Sequence, residues 1–179
     1  DGEIEARVHP TLIPEGHLLA SVGGVYNAVY IVGNATGSLM FYGKGAGQMP
    51  TASAVLSDIV EIAQNILYQR PSRPPHLPEV SAEGLKIKPM EELRTCYYLR
   101  VMAIDKPGVL SKISGVLGDH NISIASVIQK GRREQATVPV VMMTHEAKEG
   151  DMQKALKRID RLEVVMEKTV CLRVEGGNT

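Results

Sequence analysis

The sequence predicts an α+β protein in two parts: a strand–strand–helix segment over residues 1–70 and a β-α-β-β-α-β sandwich over residues 93–179. Three observations lead there. Five of the ten prolines, Pro71, Pro74, Pro75, Pro78 and Pro89, crowd one stretch. Proline fixes φ and drives its predecessor out of the helical region, so residues 71–92 read as an extended Pro-rich linker. Charge changes across it, from three basic and six acidic residues in 1–70 to fourteen basic and twelve acidic in 91–179. Beyond the linker, β-type runs alternate with stripes of 3.6-residue period.

In the first part, Ile4–Pro10 reads as an extended strand and Val25–Gly33 as a half-buried one. Asn34–Gly37 is a turn, and Ser38–Gly43 pairs back as a hairpin. Glycines 43, 45 and 47 lead into a helix from about Thr51 to Tyr68, started by Thr51 or Pro50 and stopped by Pro71. Val55, Ile59, Ile62 and Ile66 form its apolar stripe. Three strands and one helix lack a second layer, so this part is expected to dock on a missing partner or a second copy.

In the second part, Cys96–Ile104 is a strand and Asp105–Gly108 a turn. A helix follows, with Val109, Leu110, Ile113, Val116 and Leu117 on one stripe. Ile122–Lys130 and Ala136–Thr144 form a hairpin across Gly131–Glu134. A helix carrying Met152, Ala155, Leu156, Ile159 and Leu162 leads to a last strand, Glu163–Val174. Pro139 falls in the third strand, which is central in this topology, so a bulge or a late start of pairing is expected there.

Composition excludes several function classes. Twenty basic and twenty acidic residues give a formal net charge of zero, which argues against binding nucleic acid or an anionic membrane by bulk attraction. No apolar run is long enough for a membrane span, and no signal peptide is visible, so a cytoplasmic protein is expected. Two cysteines make neither a disulfide framework nor a zinc site, and the five histidines lack ligand spacing, so no metal is expected. Trp is absent and there is one Phe, so the core must be aliphatic. The first and last strands of the sandwich are neighbours, which would bring Cys96 and Cys171 near each other, as reduced thiols. The opening at Asp1 without a Met suggests a fragment of something longer.

Residues Asp105 to Gln129, DKPGVLSKISGVLGDHNISIASVIQ, resemble the ACT domain, an amino-acid-sensing module of ferredoxin-like βαββαβ fold. Residues from Glu15 onward, EGHLLASVGGVYNAVYIVGNATGSLMFYGKGAGQMPTASAVLSDIV, resemble the C-terminal part of the catalytic region of homoserine dehydrogenase. In the long bacterial form of that family, this segment is followed by a linker and an ACT domain. The resemblance implies a strand–strand–helix fragment of an α/β catalytic domain. It also implies NAD(P)-dependent interconversion of L-homoserine and L-aspartate 4-semialdehyde, on the route to threonine, isoleucine and methionine. The family's catalytic lysine, substrate carboxylates, metal segment and dinucleotide-binding domain all precede this stretch, so no catalytic residue is assigned and the fragment is expected to be inactive.

On the residues alone, the Gly43–Gly47 spacing is neither of the common phosphate-loop fingerprints and suits a plain strand-to-helix turn. Closely spaced glycines before a helix also admit close approach of a ligand to the backbone. The resemblance implies that Gly45, Ala46 and Gly47 reach the NADP or NAD cofactor, with Gly47 against the nicotinamide nucleotide; Lys44 reads as a solvated charge. His9, Tyr26 and Tyr42 have no assignable partner for acid–base work and read as structural. For the second part, an ordinary turn competes with an effector site. In the latter, Gly108, Val109 and Leu110 offer N–H groups to an α-carboxylate and Asp105 meets the amine or hydroxyl. By the resemblance, Asn121, Ile122, Ser123 and Ile124 of a neighbouring domain form the other wall, which implies at least a dimer. The basic run Lys130–Arg133 reads as a solvated hairpin tip.

The reading is the regulatory C-terminal fragment of a homoserine dehydrogenase, its ACT domain sensing an amino acid, by analogy L-threonine. The alternatives are a free-standing amino-acid sensor and a ligand-free oligomerisation module.

Overall fold

The structure, a computed structural model, describes residues 3–70, 86–129 and 137–176. In chain order the first elements are strands β1 (Glu3–Ile4), β2 (Thr11–Leu12), β3 (Tyr26–Gly33) and β4 (Gly37–Lys44), then helix α1 (Gln48–Leu67) and β5 (Lys86–Ile87). There follow β6 (Arg94–Ile104), α2 (Val109–Asp119), β7 (Ile124–Gln129), β8 (Thr137–Thr144), β9 (Ala147–Lys148), α3 (Glu149–Ile159) and β10 (Val170–Val174). They form two compact units, one of residues 15–70 and one that joins 3–14 to 86–176. A break at residue 70 is therefore not how the chain packs. Residues 3–14 lie with the sandwich, because β2 pairs in parallel with β10 and β1 with β5. The expected strand Ile4–Pro10 is replaced by these two short pairings. Of the expected linker 71–92, residues 71–85 lie outside the described residues, as does the Lys130–Arg133 run.

In the sandwich unit the sheet order is β2-β10-β6-β8-β7, with β9 pairing the start of β6. The last four strands of that order are the expected four-stranded sheet. Alternation along β6 puts Tyr97, Leu99, Val101 and Ala103 on one face, fully buried, and β8 adds Val138, Val140 and Met142. Both helices cover this face. α2 contributes Val109, Ile113, Val116 and Leu117, and α3 contributes Met152, Ala155 and Ile159. Each Val, Leu, Ile or Met among them is worth about 1.5–3 kcal/mol of burial, enough to fix which face is inside. The other face, with Tyr98, Arg100 and Met102 from β6, carries no helix among the described residues.

Pro139 sits in register opposite Met102 with no bulge on that side. Pairing with β7 begins one residue later, at Gln129↔Val140, so the missing N–H interrupts no described ladder bond on that side. The last strand is shorter than expected. Only Val170–Val174 form it, while Val165 makes an isolated bridge to Ala103. Between them, Asp160 Oδ1 accepts the Thr169 N–H at 2.9 Å, which turns the chain before pairing resumes.

The register also separates the cysteines. Cys96 lies opposite Val174, while Cys171 lies opposite Leu99. An odd offset of three residues puts the two thiols on opposite faces, about 10 Å apart along the strand, beyond the reach of a disulfide.

In the other unit, β3 and β4 form a hairpin registered from Tyr26↔Lys44 to Gly33↔Gly37, and Gly37 closes its loop at φ 71°. α1 starts three residues earlier than expected, at Gln48. Pro50 is tolerated in the first turn, where its missing N–H has no helical partner to lose. The helix ends in a left-handed cap: Gln69 N–H donates to Ile66 O and Arg70 N–H to Asn65 O. No residue of β3, β4 or α1 is buried, and Val29, Phe41, Val55, Leu56, Ile59 and Ile62 are more than two-fifths exposed. Such a surface has the composition of a core without its cover.

Candidate functional site

Two loops expected to carry function lie in different units, and a third constellation was not anticipated. In the smaller unit, Gly45 donates its N–H to Val25 O at 3.3 Å. A Cβ on Gly45 would fall 1.5 Å from Asn27 Nδ2, so any larger residue here displaces the Asn27 side chain. Gly47 is favoured for a different reason, its φ of 123°. It caps α1 without a side chain, and Thr51 N–H donates to its carbonyl at 3.1 Å. The N–H groups of Ala46, Gly47, Gln48 and Met49 make no hydrogen bond to another described residue. This run of donors at a helix start suits an anionic group, while Pro50 contributes none. Tyr26 and Tyr42 stack at 4.8 Å between ring centroids, and His17 sits edge-on to Tyr30 at 4.8 Å. In the sandwich unit, His9 Nδ1 lies 2.9 Å from Thr11 Oγ1 and 3.2 Å from Pro10 O.

The Asp105 turn closes with Lys106 N–H donating to Ile104 O at 2.9 Å. Gly108 caps α2 in the left-handed region, at φ 86°. Asp105 Oδ1 accepts Gln129 Nε2 at 3.2 Å, tying the turn to the end of β7. Val109 points into the core, while Leu110 is exposed beside the turn. The second expected wall lies elsewhere. Asn121 takes φ 57° as the left-handed cap of α2, with Asn121 N–H donating to Gly118 O and Ile122 N–H to Leu117 O. Ile122 is buried, Ser123 is exposed with its carbonyl accepting His145 N–H, and Ile124 is half-buried. These residues lie past the far end of α2, about 16 Å along the helix from Gly108. One chain does not bring the two walls together.

The unanticipated constellation is buried. Glu149, 3% exposed at the start of α3, accepts Tyr97 Oη at 2.7 Å, Arg173 Nε at 2.9 Å, Arg173 Nη2 at 2.6 Å and Gln153 Nε2 at 2.8 Å. Burial works to raise its carboxyl, but the bonds from Arg173, Tyr97 and Gln153 prevail and hold it below the ordinary carboxylate range. Burial, then the bond to Glu149, pushes the Tyr97 hydroxyl up. Burial, then Glu149, pushes the Cys171 thiol up to about 11. The cluster ties β6, β10 and α3 together. In the sequence its one signal is an acidic residue at the start of a helix, which reads equally well as a dipole partner.

Among the described residues no cluster suits a metal ion, and no helix is long and apolar enough to cross a membrane. Residues 2–60 match the homoserine dehydrogenase family and residues 97–164 match the ACT domain. A homoserine dehydrogenase of Neisseria gonorrhoeae is 43% identical over 97% of this chain and 40% of its own length. One of Pseudomonas aeruginosa is 41% identical over 97% and 41%. The crystal structure of a homoserine dehydrogenase from Thiobacillus denitrificans superposes with a TM-score of 0.80, at 41% identity over 98% of this chain and 40% of that one. The chain thus spans about two-fifths of the length of the relatives it matches. By these matches residues 2–60 belong to the homoserine dehydrogenase family, and residues 97–164 are an ACT domain.

Proposed function

We propose that the chain is the C-terminal, regulatory part of a homoserine dehydrogenase, in which the ACT domain senses an amino acid, L-threonine, and adjusts activity in a homo-oligomer. One observation carries this reading: the dehydrogenase and ACT matches stand on one chain, and the relatives follow it across 97% of its length. The parent enzyme transfers a hydride between NAD(P)H and the carbonyl of L-aspartate 4-semialdehyde; the cofactor supplies the hydride. This chain's part is to present backbone. The unpaired N–H groups from Ala46 to Met49 fit the anionic portion of a dinucleotide, and Gly47 keeps the path free of a Cβ. Lys44 lies at the end of β4 and serves as a solvated charge.

The acid–base lysine and the cofactor domain belong to the upstream portion of the parent, so the chain by itself is inactive. The exposed apolar faces of α1 and the β3–β4 hairpin are where that portion packs. The effector sits on the Asp105 turn of one ACT domain and on Asn121, Ile122, Ser123 and Ile124 of another. This accommodates the separation of those residues within a single chain. An effector changes activity only by binding one arrangement of the oligomer better than another. The enzyme works in the cytoplasm.

Titrating L-threonine into the full-length parent while following homoserine oxidation tests this reading; activity independent of threonine removes the effector. Calorimetry on this chain with L-threonine, L-isoleucine and L-methionine separates a sensor from a ligand-free assembly module, which gives heat with none of them.

A further inference from the structure

A cavity of about 260 Å3 opens at the first end of β6, lined by Arg7, Arg94, Cys96, Glu146, Val174 and Glu175. We propose that it is a second site on this chain for one small zwitterionic amino acid. It lies beyond the effector reading above, since the Asp105 turn stands at the other end of the same strand. Eleven residues at about 3.3 Å each put the two about 35 Å apart.

The chemistry follows from the lining. Arg94 and Cys96 alternate with the core residue Tyr97, and Val174 lies in register with Cys96, so the cavity sits on the face that α2 and α3 leave bare. Arg94 makes no hydrogen bond or ion pair with any described residue. It is a guanidinium available to a carboxylate. Arg7 Nη2 pairs with Glu175 Oε2 at 3.3 Å, and that carboxylate is 60% exposed, which leaves it open to an ammonium group. Glu146 and Glu175 both face the Cys96 thiol, which burial and then these two carboxylates push up. Arg94 and the exposed Glu175 carboxylate stand at one opening, so a zwitterion finds a partner for each charge while a bare anion meets the Glu175 carboxylate. Val174 and Cys96 supply an apolar floor for a short side chain. The volume equals about eight or nine waters and falls below the range of drug-sized sites, so it suits a single amino acid.

The test is amide chemical-shift titration of the 15N-labelled chain with L-threonine, L-methionine and L-isoleucine. 1-Aminopropan-2-ol, 3-hydroxybutyrate and inorganic phosphate serve as probes lacking one charge or the other. The expected result is saturable shifts at Thr95, Cys96, Val174 and Gly176 with an amino acid, at least tenfold weaker binding of the singly charged analogues, and none of phosphate. Arg94→Met and Glu175→Gln each weaken binding there by at least tenfold while core amides stay in place. Shifts confined to Asp105, Gly108 and their neighbours overturn this inference and leave the effector reading standing. Shifts confined to the Arg94 end do the reverse. Equal response to phosphate, or full binding by Arg94→Met, also overturns it.

Discussion

Replacing Arg173 by Met tests the account of the buried cluster most directly. Arg173 supplies two of the four hydrogen bonds on Glu149 and its only opposite charge among the described partners. The Glu149 side chain is 4% exposed and that of Arg173 20%, so solvent screens the pair little. Removing one partner of a buried pair strands the other, at a cost of about 3–5 kcal/mol. Tyr97→Phe deletes one bond to a charged acceptor and leaves the ring packed, at about 1.5–3 kcal/mol. For a unit of this size 1 kcal/mol moves Tm by about 4–8 °C, so Arg173→Met lowers it by at least about 12 °C. The pH dependence has a definite sign. The folded Glu149 carboxyl is depressed, so its stabilisation is present above the unfolded value of about 4.3 and is lost as pH falls through the folded value. In Arg173→Met burial acts with less opposition, and that loss on acidification shrinks or disappears. Urea unfolding followed by circular dichroism from pH 7 to pH 3 reads both effects. Arg173→Met within 1 kcal/mol of the parent chain at pH 7, or an unchanged acid profile, refutes the reasoning.

Gly45→Ala drives a methyl into Asn27 and disturbs the end of the hairpin, whereas Asn27→Ala/Gly45→Ala is tolerated better; hairpin amide exchange distinguishes them. Gly47→Ala forces a side chain to φ 123° and costs about 1–3 kcal/mol, read as fraying of the first turn of α1. In the full-length parent, Asp105→Ala weakens threonine inhibition at least tenfold without changing the basal rate. Oxidation of this chain yields no internal Cys96–Cys171 crosslink, and mass spectrometry after thiol labelling finds both cysteines free. The Cys171 thiol stays protonated through neutral pH and reacts slowly with maleimide.

Much of the sandwich was legible because its signals are local. The Asp105–Gly108 turn, the stripe on α2 and the alternation of β8 each appear within a dozen residues. What stayed hidden depends on distant pairing. Nothing near Thr11 announces that β2 will join the sheet beside β10, because a two-residue strand has no period to read. The last strand looked continuous because Glu163–Val174 is rich in β-branched residues; the break comes from Asp160 capping Thr169, a bond across nine positions. Asn121 reads from the sequence as part of a ligand wall, and the structure shows it in a backbone task, capping α2 at φ 57°. Glu149 was passed over since its partners Tyr97 and Arg173 lie 52 and 24 positions away.

The parallel seam between β2 and β10 alters what a protease does to this polypeptide. A single cut anywhere between residues 71 and 85 divides the backbone, yet the amino-terminal piece keeps a strand stitched into the sheet beside β10, with Arg7 on Glu175 and Glu5 on Lys88 as further ties. The two fragments co-elute, because residues 3–14 stay paired with the sheet after the connecting peptide has been severed.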